Sequence, residues 1–310
     1  MAKDEKRNPW PVIVIILIVL FFFSTIAAII IGVFSGNENG SASGNTLIIP
    51  INGEIISNVD DSIFSSGGAS SQDIVSEIKD AEQNQNIKAV IFEINSPGGS
   101  PVASHEIAKA IKNMTKPNVA VIREMGTSGA YWAASSTNHI VADEMSVVGS
   151  VGVLSSYVGF YGIMNKYNVT YERLVAGDNK DIMTPYRPMT DKEKAAIEFK
   201  IANMQQFFLE DVATSRNLTR QEKSEISSAM FYIGTEAKDL HLIDEFGGID
   251  EATAYLQTRM GEKIVPYRVE QPKSFIQTLM GASAAHGFAM GQGLGKTLVL
   301  NNDGSQIQMK

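Results

Sequence analysis

The chain has 310 residues, 44% of them hydrophobic and 19% charged, with a formal net charge of −8. That balance suits a globular protein carrying an added apolar segment, and it excludes the basic face of a nucleic-acid binder. There is no cysteine, which excludes disulfides, thiolate catalysis and cysteine-ligated zinc and fits an extracytoplasmic setting.

No charged residue lies between Arg7 and Glu38. The core of this stretch, Val12 to Val33, would be roughly 33 Å long as a helix, enough for a hydrocarbon core of about 30 Å. A cleaved signal peptide would show a shorter apolar region, about 7–15 residues. The run therefore reads as a transmembrane anchor over residues 12–34, preceded by a cytoplasmic N-terminus, residues 1–11. Lys3, Lys6 and Arg7 precede it, and no Lys or Arg follows until Lys79. The positive-inside bias then places the bulk of the chain outside. The expected location is a bacterial inner or cell membrane, crossed once.

Residues 35–45 are rich in Gly, Ser and Asn and read as a flexible tether. A catalytic-sized domain follows over residues 46–270. Thr46 to Ile51 is a strand closed by an Asn52-Gly53 turn, and Ser65 to Ser71 is a Gly/Ser loop. Ile74, Ile78 and Ala81 recur at helical spacing, so Gln72 to Gln83 is a helix. Lys88 to Asn95 is a strand, His105 to Met114 a helix and Asn118 to Arg123 a strand. This alternation predicts right-handed βαβ crossovers and a largely parallel sheet.

A short helix follows Ser128, then a strand at Ile140 to Ala142, a Gly-Ser-Gly turn and strand over Val148 to Val153, and a strand at Tyr171 to Val175. Lys192 to Arg216 is a long helix, opened by the capping box Thr190-Asp191-Lys192-Glu193. Shorter helices lie near Arg220 to Ala229 and Thr235 to Leu240, and Asp250 to Met260 is a helix after Gly247-Gly248. Residues 271–310 form a Gly/Ala/Met-rich tail. Its Gly293-Leu294-Gly295-Lys296-Thr297 lacks the first glycine of a phosphate loop, since Met290 stands there. No metal or other cofactor is expected.

The chemistry centres on Ser128, in Gly126-Thr127-Ser128-Gly129-Ala130. A serine at a strand-to-helix turn is exposed for attack, with small neighbours leaving the approach open; a plain helix cap is the other role for a serine there. It needs a base. The four histidines, His105, His139, His241 and His286, are poorly placed for that task. Lys180 is the alternative, provided an apolar pocket lowers its proton affinity; Asp178 and Asp181 flank it and oppose that change. Upstream, Ser96-Pro97-Gly98-Gly99 follows an apolar strand and can turn backbone N–H groups toward one point. The N–H groups of Gly99 and Gly129 are the candidate oxyanion donors, with Gly98 at the substrate.

Taken together these segments resemble the S49 family of signal peptide peptidases, in its short membrane-anchored bacterial form. Asn95 to Gly99 resembles the family's oxyanion segment, and Thr127 to Ala134 its nucleophile segment. Val148-Gly149-Ser150-Val151-Gly152-Val153 resembles the stretch whose serine, here Ser150, orients the lysine. Ala176 to Lys180 resembles the segment bearing the general base. Phe231 to Ala237 and Leu242 to Gly248 resemble two further family blocks. The resemblance implies an α/β fold, a ClpP/crotonase-like spiral of βαβ units behind the transmembrane helix. It implies a serine endopeptidase with a Ser128–Lys180 dyad that degrades remnant signal peptides or other apolar membrane-associated peptides. It also implies a homo-oligomeric ring over the membrane, with active sites shared between subunits. The alternatives are a stomatin-type processing peptidase, an acyl-CoA enzyme on the crotonase fold, and a non-catalytic membrane scaffold.

Overall fold

The computed structural model describes residues 10–35, 44–58 and 68–269; within the first stretch, side chains are described at residues 10, 12–24, 26 and 27. The chain divides into two units, one of which is Ser43–Arg268.

Helix α1 (Trp10–Ser35) belongs to the other unit and has 26 uncharged residues. Among the described residues no helix is long and apolar enough to cross a membrane. This finding corrects the expected anchor over residues 12–34, the transmembrane helix in the fold class, the membrane-anchored form of the family resemblance and the single-pass location. The membrane-associated substrates and the membrane-bound ring with shared sites lose their basis with it.

The unit Ser43–Arg268 is built on one sheet. Its strands are β1 (Thr46–Asn52), β4 (Ala89–Ser96), β5 (Asn118–Thr127), β6 (Ile140–Ala142), β7 (Val147–Gly149), β8 (Phe231–Ile233), β9 (Glu245–Phe246) and β10 (Pro266–Arg268); β2 (Ile55–Ile56) and β3 (Ala69–Ser70) form a separate pair. The main path runs β10-β1-β4-β5-β6-β9, parallel at every step. The helices are α2 (Ser71–Gln83), α3 (Pro101–Lys112), α4 (Gly129–Ser135), α5 (Tyr161–Lys166), α6 (Asp191–Ser215), α7 (Arg220–Ile226), α8 (Gly234–Asp239) and α9 (Ile249–Met260).

Both faces of the sheet are buried, and the period of two along each strand shows it. Val90, Phe92 and Ile94 of β4 and Ala120 and Ile122 of β5 enter the larger core with α2, α3 and α4. Ala89, Ile91, Val119 and Val121 alternate into the smaller core, where Ala252 and Leu256 of α9 cover them. A strand buried on both faces reads as a continuous apolar run, which is why Ala-Val-Ile-Phe marks β4.

Strand β5 is the feature that builds the site. Its first half pairs with β6, Ala120 opposite Ile140. Its second half pairs with β7, Thr127 opposite Gly149, and β7 in turn pairs antiparallel with β8. A register shift between Ile94 and Ser96 lets β4 follow the bend. The sheet thus forks, and the ends of β4 and β5 project together past the fork.

Two element expectations are corrected. Tyr171 to Val175 forms no strand; it is exposed and carries no ladder. After Gly149 the chain leaves β7, so Val148 to Val153 is a strand only at its start.

Candidate active site

Ser128 follows β5 and precedes α4. Its backbone has φ 53° and ψ −124°, a conformation that L-residues rarely hold. The turn is fixed on both sides. The Ser128 N–H donates to the Gly149 carbonyl at 2.8 Å, and the Trp132 N–H donates to the Ser128 carbonyl at 3.0 Å. Every residue of α4 is buried, and the Tyr131 hydroxyl donates to the Leu242 carbonyl at 2.8 Å. Burial pushes the Tyr131 phenol well above its ordinary range. The side chain of Ser128 is held out of this packing and makes no hydrogen bond among the described residues.

The Gly98-Gly99 turn lies beside it at the end of β4. Gly98 has φ +93°, and a Cβ there would stand 2.7 Å from the Gly129 nitrogen and 2.9 Å from the Ser128 Cβ. Glycine keeps open the space next to both. A Cβ on Gly99 would stand 2.1 Å from the Ile55 carbonyl oxygen, because Ile55 bonds to both flanks of Gly99, donating to Gly98 and accepting from Ser100. That bridge leaves the Gly99 N–H without a partner, and the Gly129 N–H, first in its helix, is likewise unpaired among the described residues. Two free backbone donors therefore belong to residues that line one cavity with Ser128.

A cavity of about 150 Å³ opens at this point, with Ser128, Gly99, Gly129, Trp132, Leu154 and Phe208 on its walls and no ionisable side chain among its lining residues. Trp132 stacks on Phe208 at 4.5 Å and donates its Nε1–H to Asp211 at 2.7 Å. Burial raises the Asp211 carboxyl, but hydrogen bonds from Lys112 and Trp132 outweigh this and hold it below its ordinary value. Ser104 of α3 also lines the cavity. It is fully buried, its Oγ has no partner, and it would lie 2.0 Å from a Cβ on Gly129.

Ser150 stands next to Gly149, whose carbonyl holds the nucleophile's N–H. Its φ is also 53°, and its N–H donates to the Met230 carbonyl at 2.9 Å. Lys180 is elsewhere in this chain, on an exposed turn, and no hydrogen bond joins it to Ser128 or Ser150 among the described residues. The segment that carries it is open to solvent, with Leu154 86% and Leu174 95% exposed. Of the described histidines, His105 packs on Trp132 and Phe207, His139 stacks on Tyr255 at 3.9 Å, and His241 pairs with Glu222. None of these contacts is with Ser128, and His286 lies outside the described residues. No group of three or more His, Asp or Glu arranged to hold a metal occurs among the described residues.

Ser104, Trp132 and Phe208 were not legible as site residues. The apolar positions of α3 and α6 mark core faces, and only the tertiary crossing of α3, α4 and α6 turns them toward one cavity.

The sequence has relatives. The sequence model of peptidase family S49 matches residues 110–262, and that of Clp protease matches residues 61–142. A candidate protease of Methanocaldococcus jannaschii is 32% identical over 246 residues, covering 78% of this chain and 78% of that protein. A candidate signal peptide peptidase SppA of Enterococcus faecium is 28% identical over 218 residues, 69% of this chain and 63% of its own length. The chloroplastic serine protease SPPA of Arabidopsis thaliana is 25% identical over 216 residues, of which this chain spans 32% of the plant protein. The chain belongs to peptidase family S49. Its activity at the level of that family is peptide hydrolysis.

Proposed function

We propose that the protein is a serine endopeptidase in which Ser128 attacks the peptide carbonyl and Lys180 is the general base. The observation that carries this reading is the strained turn at Ser128, φ 53° and ψ −124°, between the unpaired N–H groups of Gly99 and Gly129. Backbone strain of this kind persists where the surroundings over-determine it, and here it aims a hydroxyl with no structural partner into a cavity.

In the proposed reaction the neutral Lys180 amine takes the Ser128 proton as Oγ bonds to the substrate carbonyl carbon. The Gly99 and Gly129 N–H groups donate to the oxyanion, a stabilisation worth about 2.7–4 kcal/mol per donor in comparable sites. Gly98 leaves room for the substrate beside them, and Ser150 accepts from the lysine to orient it. The protonated lysine then returns its proton to the leaving amine. Water attacks the acyl-enzyme by the same route in reverse. The absence of ionisable groups from the cavity lining supports a neutral amine there, since a carboxylate would hold it charged. The apolar walls suit apolar substrate side chains. The dyad requires the Lys180 turn to come to a Ser128 cavity.

The test is cleavage of an apolar fluorogenic peptide, together with labelling by a serine-reactive phosphonate. Ser128→Ala is expected to lose both label and cleavage, and Lys180→Ala to lose cleavage by about a thousandfold or more. Cleavage that survives Lys180→Ala would remove the lysine from the mechanism. Mixing the two variants shows whether base and nucleophile come from one chain or from two: restored activity means two.

A further inference from the structure

The turn that carries Lys180 holds a charge cluster that the reaction above does not use. Both oxygens of Asp181 are gripped by two arginines. Oδ1 accepts from Arg173 Nη2 at 2.7 Å and from Arg187 Nη2 at 2.9 Å. Oδ2 accepts from Arg173 Nε at 2.8 Å and from Arg187 Nε at 3.0 Å. A carboxylate offers about four lone-pair sites, and all four are taken. Arg187 forks a second time onto Glu193, at 2.6 and 2.9 Å. Glu193 in turn caps α6, accepting from the Thr190 N–H at 2.8 Å and its hydroxyl at 3.0 Å. Within an otherwise open segment, the Asp181 side chain is only 12% exposed and that of Glu193 7%.

We propose that Arg187, with Arg173, is a positioning residue for Lys180: it ties the lysine turn to the first turn of α6 and occupies the carboxylate that would otherwise pair with the amine. This rests on Lys180 being the general base. Asp181 is the next residue along from Lys180, and a free carboxylate within reach of the amine favours the charged lysine. With both of its oxygens saturated, Asp181 has no acceptor left to offer. Two arginines and two carboxylates also leave the cluster with no net charge. The hydrogen bonds from Arg173 and then Arg187 hold Asp181 well below the usual carboxylate range, so the cluster stays intact through the working pH range.

The turn itself is tight. Lys180 N–H donates to Gly177, Ile182 N–H to Asn179 and Thr184 N–H to Asp181, while Arg173 also donates to the Asp178 carbonyl at 2.7 Å. The ionisable groups that the turn and its ion-pair cluster bring together with Lys180 in the chain are Asp178, Asp181, Arg173, Arg187 and Glu193. Behind the Trp132 wall of the Ser128 cavity lie Asp211, Lys112 and His105.

The experiment is the pH dependence of kcat/KM for the full chain and for Arg187→Gln, Arg187→Lys and Asp181→Asn, with thermal unfolding of each. Arg187→Gln leaves excess negative charge beside the amine, so the acid limb is expected to move up by about one pH unit. The rate near pH 7 then falls about tenfold and recovers in alkali. Asp181→Asn leaves excess positive charge, and its limb is expected to move down. Arg187→Lys keeps the charge without the fork, so it should lose rate with the limb nearly in place. Limbs that stay put in both Arg187→Gln and Asp181→Asn would overturn the proposal and leave a purely structural staple. Should either variant fail to fold, Arg173→Gln carries the same sign as Arg187→Gln and decides the matter. Full activity in Lys180→Ala would instead refute the base assignment, which is a separate outcome.

Discussion

The two halves of the proposed dyad are held by different physics. The Ser128 half stands at the ends of two neighbouring parallel strands and is fixed by main-chain bonds, with every residue of α4 buried behind it. The Lys180 half stands on an open segment and is fixed by side-chain charge. Backbone geometry gives the nucleophile one position, set by glycines and by a strained φ. The ion-pair fork gives the lysine a turn that is rigid within itself. Two Asp–Arg pairs show the contrast directly. Arg216 forks onto Asp244 at 2.7 and 3.0 Å inside the strand-built unit, where the arginine side chain is 8% exposed. Arg187 forks onto Asp181 in the open segment.

The sharpest break in the strand-built half is Gly129→Ala. Its Cβ would meet the Ser104 Oγ at 2.0 Å and the Ser104 Cβ at 2.6 Å. Overpacking of this kind costs about 1–3 kcal/mol, and displacing one oxyanion donor lowers kcat by about a hundredfold or more. Adding Ser104→Gly to the same chain should return part of the melting temperature; no recovery would show that the strain lies elsewhere.

Next in size is Asp244→Asn. Burial raises the Asp244 carboxyl, but the Arg216 fork outweighs this and holds it below its ordinary value. A depressed carboxyl stabilises the fold above its unfolded value of about 4, and that contribution is lost as pH falls through the lower folded value. The variant should unfold more easily at pH 7, by less than the about 3–5 kcal/mol of a fully buried pair. It should also lose part of the acid-side slope of stability, read by urea unfolding from pH 7 to pH 3. The comparison predicts a smaller stability loss for Asp181→Asn, whose effect falls on rate.

The smallest effect belongs to Ser104→Ala. The hydroxyl is buried without a partner, and an unsatisfied buried hydroxyl is a cost to the fold. Melting should be unchanged or slightly higher, and a drop of several degrees would reveal a bond that this geometry does not contain.

The alternation of strands and helices was legible because β4 and β5 are apolar without interruption and α2 repeats Ile74, Ile78 and Ala81. The capping box at Thr190 was legible too, and it forms as read. The Ser128 turn was marked by its glycines. What sequence could not show was pairing at a distance. The β7–β8 pair joins Val147 to Ile233, and no local pattern encodes it. Tyr171 to Val175 has the letters of a strand, but no neighbouring edge receives it, so propensity is not realised. The neutralisation of Asp181 was equally hidden. Its partners, Arg173 and Arg187, lie eight residues before and six after, and only the folded turn brings them together.

Strand β10 pairs with β1 at the edge of the sheet, Thr46 opposite Pro266. Asn45 reinforces the join, donating from Nδ2 to the Lys263 carbonyl and accepting from the Val265 N–H, both at 2.8 Å. The ribosome therefore delivers the cover for the first strand some 220 residues after the strand itself. Until then β1 keeps an open row of backbone donors and acceptors, the kind of edge that recruits foreign strands. A nascent chain stopped short of Pro266 would be a sticky one, and the final closure of the unit is a seam sewn from its last residues onto its first.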